Sequence, residues 1–260
     1  MNEIEIKDEL NSAEYKNEWN RLLKMRSSII YCLSFSFMNS NRDGHSGEQN
    51  FFLRMIDDII QSVISIEINA KEGIINTCRR ELRYLIELSI KSCLIVNNTK
   101  KQKIEEQIDE YKKLLNSSNI NPLNKLNFHL LDDKEDEFKI DTKRLYGYLS
   151  KYSHSSSYQI RERLEKANKG RTIGYEGITE LQKLNNDIEK VFSVVLVMIF
   201  HSVDDYVIGN FLVEEDGRTI NWYFNQSKYI SIIDEKFDYK FERQSILIEL
   251  KNERKKRIQF

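Results

Sequence analysis

Apolar residues recur every three to four positions along most of this 260-residue chain, the spacing that puts them on one face of an α-helix. The pattern predicts a first helix over about 12–38, with Trp19, Leu22, Leu23, Ile29, Ile30, Leu33 and Phe37 forming a broad apolar stripe. The loop NSNRDGHSG ends it. A second helix is expected over 48–69, carrying Phe52, Met55, Ile56, Ile59, Ile60, Val63 and Ile66, and a third over 74–96. Only Gly73 interrupts these two, so the break reads as either a kink or a turn. Residues 101–115 read as a polar helix whose narrow apolar face, Ile104, Ile108, Tyr111 and Leu115, suits an element on the outside of a bundle.

Regularity is lowest after that, and 116–141 reads as a loop or insertion holding the single proline and the acidic run DDKEDE at 132–137. A short helix capped by Asp141 or Thr142 then leads to His154. The polar stretch 155–177 has room for one more short helix. A long helix is expected from 177–179 to about 211, with Leu181, Leu184, Ile188, Val191, Val195 and Ile199 turned inward as the centre of the fold. Its densest part, VFSVVLVMIF at 191–200, is about half the roughly 20 residues a bilayer span needs. Glu189, Lys190, Asp204 and Asp205 flank it closely, so it is a core helix and no membrane contact is expected. Past Leu212 the texture changes, and the DG in FLVEEDGRTINWYF is compatible with a small β-hairpin.

These elements predict an all-α protein: a multi-helix bundle with long central helices over 1–211, and a C-terminal extension over 212–260 ending in the basic stretch KNERKKRIQF. Composition agrees, since one proline and nine glycines are too few for the turns of a β-rich fold. A formal net charge of −1 removes any global polycation argument for nucleic acid and leaves only local basic patches. The three cysteines lie inside apolar helical patterns without metal-ligand spacing, which points to a reduced, cytoplasmic chain with no disulfide. The acidic N-terminal segment carries no export pattern. No metal or other cofactor is expected.

Two segments suggest chemistry. In RRELRYLIEL, Arg79, Arg83 and Glu87 are spaced by four and share a face, Arg80 lying beside them. That face is either a surface ion pair or the lining of a cleft. In LYGYLSKYSHSS, Tyr146, Ser150 and His154 recur every four residues, with Lys151 next to them. A histidine leaving a helix can merely bond the last carbonyls, but the surrounding hydroxyls also suit phosphate or sugar oxygens. His45 reads as a turn residue, and His129 and His201 as packing residues.

An Arg-and-Glu helix, then a Tyr-x-x-x-Ser-x-x-x-His helix, then a long apolar helix resembles the HEPN superfamily over roughly 74–211. Many members of that superfamily are metal-independent ribonucleases or nucleotide-binding partners in toxin-antitoxin and phage-defence systems. The resemblance implies binding of RNA or a nucleotide, frequent homodimerisation or a partner protein, and catalysis by His154 with Arg83 and Arg79. Tyr146, Ser150, Lys151, Arg80 and Glu87 would then contact substrate. The chain is divergent: catalytic members place an arginine before the histidine with four to six residues between them, where this one has Gly147, Tyr148 and Leu149. An arginine from the other helix would have to serve. The alternative is a noncatalytic helical adaptor of a defence complex, with a structural His154 and charged faces that bind protein.

Overall fold

The computed structural model describes residues 3–41, 48–99, 102–116, 119–153, 156–172 and 174–260. Four helices build the core: α2 (Ala13–Ser40), α4 (Ile56–Lys71), α5 (Ile75–Thr99) and α9 (Ile178–Phe200). Short α1 (Glu3–Asn11) precedes them and α3 (Phe51–Arg54) leads into α4. α5 packs along α9, with α2 against the other side of α9 and α4 against both α2 and α5. Met25, Ile29 and Leu33 of α2, Ile59 and Val63 of α4, Leu82, Leu85, Ile86 and Ile90 of α5, and Leu184, Ile188, Val191, Val195 and Ile199 of α9 belong to one apolar cluster. Every residue of α9 from Val191 to Phe200 is buried, which is why this stretch alone is apolar on all sides.

Local signals set several boundaries. Ser12 caps α2, its Oγ accepting from the Tyr15 N–H at 3.1 Å. Gly73, at φ 67°, makes the break before α5 a true turn, and a Cβ there would stand 2.6 Å from the Gly174 carbonyl carbon. Outside the core lie α6 (Ile104–Leu115), α7 (Glu135–Ser150), α8 (Ser157–Asn168), α10 (Asp205–Leu212), α11 (Lys228–Glu235) and α12 (Leu247–Arg257).

Three expectations need correction. The region 116–141 is not one loop, because two 3₁₀ segments, Asn121–Lys125 and His129–Lys134, run into α7 at Glu135. Glu135, Asp136 and Glu137 form the first turn of α7, where carboxylates favour the positive end of the helix dipole. Asp141 and Thr142 therefore lie inside a helix and cap nothing. Next, the long helix stops at Phe200, and α10 is separate. His201 Nδ1 lies 2.8 Å from the Val197 carbonyl, and Ser202 Oγ donates to that of Met198 at 2.7 Å, so side chains occupy carbonyls at the helix end.

The expected hairpin is absent among the described residues. Val213 and Thr219 form a single antiparallel bridge around a turn at Gly217. Pairing stops there because Trp222 and Phe224 are drawn into the core, the Trp222 ring lying 4.9 Å from that of Phe211. The C-terminal extension is docked rather than loose. Asp234 is buried between Arg243, at 2.6 Å, and Arg254, at 2.7 Å, and Asp238 binds both arginines. Of the basic stretch, Arg254 is thus structural, while Lys255 and Lys256 are exposed.

Candidate functional site

α5 and α7 lie side by side, and the arginines of RRELRYLIEL meet the last turns of α7. Arg83 Nη2 donates to Tyr146 Oη at 2.6 Å and Nε donates to Ser150 Oγ at 3.1 Å. Its guanidinium carbon also sits 4.7 Å from the centre of the Tyr146 ring. On its own helix Arg83 lies 3.8 Å from Glu87, whose other oxygen takes the buried Lys91 ammonium at 2.7 Å. Tyr146 Oη in turn donates to Glu87 at 3.2 Å. Burial, with the Glu87 charge beside it, pushes the Tyr146 phenol up, so it stays protonated near neutral pH. The Arg83 side chain keeps 19% of its surface exposed, enough for a ligand to reach.

Arg80 is exposed, and its Nε donates to the Tyr152 carbonyl at 2.8 Å, two residues before position 154. Lys151 caps the end of α7 with its ammonium over the Tyr158 ring at 5.1 Å. His154, like His45, lies outside the described residues. The four-residue spacing that joins Tyr146 to Ser150 on one face is real in α7 and is bridged there by Arg83.

Arg79, one turn before Arg83, is in another environment. It is fully buried, and its guanidinium reaches Asp187 at 3.3 Å, Glu180 at 3.6 Å and Glu162 at 3.7 Å. The Tyr152 ring covers it at 4.6 Å. Burial works against the guanidinium's charge, but the surrounding phenols and carboxylates outweigh it and hold Arg79 charged. Asp187 is pushed up by burial despite Arg79. So placed, Arg79 ties α5 to α8, α9 and the exit of α7, and offers no surface to a phosphate.

The three carboxylates were missed in the sequence. Glu180 and Asp187 carried a signal, being seven apart on α9 and on the same side as Leu184, Ile188 and Val191, where charge has no place unless paired. Glu162 carried none, since the apolar residues of α8, Ile160 and Leu164, are exposed and do not mark its inward face. Of the other histidines, His201 is buried and accepts the Leu130 N–H on Nε2 at 3.2 Å, and burial pushes it down to about 4. His129 is exposed, its ring 5.2 Å from that of His201.

Cys32, Cys78 and Cys93 are free and buried, with burial raising all three thiols, the last two to about 12. Among the described residues no group of histidines, cysteines and carboxylates is arranged to hold a metal ion, and no helix is long and apolar enough to cross a membrane. Comparison of the chain with family models, with curated proteins and with solved structures found no match.

Proposed function

We propose that this chain is a HEPN-like protein that binds RNA or a nucleotide where the last turn of α7 meets α5. In its sharper form it is a metal-independent ribonuclease of a defence or toxin system, working in the cytoplasm as a homodimer or with a partner protein. The observation that carries the reading is the position of Arg83: charged, accessible and fixed to Tyr146 and Ser150, the two residues that precede His154 at four-residue steps. Exposed Arg80 adds a second phosphate-matched fork within two residues of position 154.

The chemistry assigns each group a role. The neutral imidazole of His154 accepts the ribose 2′-hydroxyl proton, the oxygen attacks the adjacent phosphorus, and Arg83 stabilises the charge on the phosphorane oxygens. The P–O5′ bond then breaks to give a 2′,3′-cyclic phosphate and a 5′-hydroxyl that takes its proton from the imidazolium. Tyr146 and Ser150 orient Arg83, and Lys151 contributes charge at the rim. Arg79 acts only by positioning. Glu87 partly neutralises Arg83, so an incoming phosphate must share that arginine with a carboxylate.

This last contact also favours the second reading, a noncatalytic adaptor whose charged face binds protein. The two are separated by incubating purified protein with a panel of single-stranded RNAs in the presence of a chelator. The ribonuclease reading expects cleavage that His154→Ala abolishes with no change in melting temperature. RNA left intact, together with cellular toxicity that survives His154→Ala, would leave the adaptor.

A further inference from the structure

We propose that the cavity between α7, α9 and the start of α11 binds a small organic anion with a flat aromatic body. The cavity has a volume of about 510 Å³, within the range of small-molecule sites. Its walls are largely apolar: Leu145 and Tyr148 from α7, Val194 from α9, Tyr229 from α11, and Phe260. Three of those five side chains carry aromatic rings, a lining that favours a planar ligand.

Eight lining residues are polar or charged, and several are engaged among themselves or outward, Ser193 with Ser227 and Lys228 with Glu137. Thr142 lines the cavity, is 0% exposed, and its Oγ1 has no hydrogen-bond partner among the described residues. Its oxygen has less than 1 Å² of accessible surface, so it lies behind the cavity wall and takes no ligand atom. Both carboxylates of the lining are already engaged. Asp187 is held by Arg79 at 3.3 Å, and Asp141 accepts from Tyr229 Oη at 2.6 Å. Exposed Lys190 stands in the lining, and Arg144, 78% exposed, has its nearest carboxylate, Asp141, only at 3.7 Å. An aromatic body therefore fits inside, with its anionic group outward at Lys190 and Arg144. The site is separate from the RNA-binding face, because none of Arg80, Arg83, Tyr146 and Ser150 lines it.

Calorimetric titration of the full chain tests this with two sets of probes: AMP and CMP as nucleoside monophosphates, and salicylate and indole-3-acetate as aryl carboxylates. Adenosine and indole serve as neutral controls. We expect submillimolar binding by at least one set and about tenfold weaker binding by its neutral control. Whichever set binds tighter names the source of the anion. Lys190→Gln and Arg144→Gln should each weaken the tighter probe by about fivefold or more. Both side chains are exposed, so each variant should keep the native melting temperature and lost affinity reports a ligand contact. Lys24→Gln, in the neighbouring groove between α2 and α9 that shares Lys190 and Phe260 with this cavity, should change nothing. The proposal is overturned by no binding from either set, by neutral controls that bind equally, or by affinity that survives Lys190→Gln or Arg144→Gln. A loss from Lys24→Gln as large as that from Lys190→Gln would also overturn it.

Discussion

Arg79 and Arg83 occupy successive turns of one helix, yet one is sealed among three carboxylates and the other sits half-open against two hydroxyls. Their sequence contexts are nearly interchangeable. What separates them is the partner each meets: α8 and α9 close over Arg79, while beside Arg83 there is only the narrow last turn of α7. Burial turns the first guanidinium into a fastener, because removing it would leave the buried Asp187 without its ion-pair partner. Exposure leaves the second with weak individual contacts and freedom to exchange them for a ligand.

The sharpest way to break this contrast is Arg79→Met. Stranding Asp187, while Glu162 keeps Lys166 and Glu180 keeps Lys166 and Lys183, should cost about 3–5 kcal/mol and lower the melting temperature by about 10 °C or more, read by calorimetry. A shift comparable to that of a surface substitution would show that the cluster is not a fastener.

Acid provides the next test, since it loads the fold while leaving both arginines charged. His201 is neutral in the folded protein, with its value pushed down to about 4, whereas in the unfolded chain it titrates near 6.5. Between these values the unfolded state binds the extra proton. The His201 contribution is therefore complete above about pH 6.5 and is lost as pH falls toward 4, a loss of up to about 3 kcal/mol. Urea titrations from pH 7 to 4 should show this slope in the native chain, and His201→Gln should be less stable at pH 7 with a flatter profile. An unchanged slope in that variant would place the acid sensitivity elsewhere, in the Arg79 carboxylates first.

Smallest of all should be Arg83→Ala, at about 1 kcal/mol or less, because its contacts are partly solvated and Glu87 keeps Lys91. A loss as large as that of Arg79→Met would erase the distinction between the two arginines.

Much of the architecture was legible because the core helices repeat one apolar period: α2, α5 and the buried part of α9 follow from Leu22 to Leu33, Leu82 to Ile90 and Leu184 to Ile199. Boundaries were less legible where side chains compete for the backbone, as His201 and Ser202 do at the end of α9. The DG signal gave a turn without a hairpin, since Trp222 and Phe224 gain more from the core than from extending a two-stranded ladder. In the site, helical spacing gave the shared face of Tyr146 and Ser150 and that of Arg79 and Arg83. It could not reveal that α8 and α9 bring three carboxylates to one arginine and none to the other, because those contacts join residues far apart in the chain.

The central claim, that the open arginine face and not the closed one binds the ligand, is tested most directly by one measurement. It is the affinity of the full chain for fluorescently labelled single-stranded RNA at fixed salt, native against Arg80→Ala/Arg83→Ala, with melting temperatures alongside. Losing two phosphate contacts should weaken binding by about tenfold or more and reduce the salt dependence, with the melting temperature within a few degrees of native. RNA affinity that is unchanged in the double variant would contradict the account.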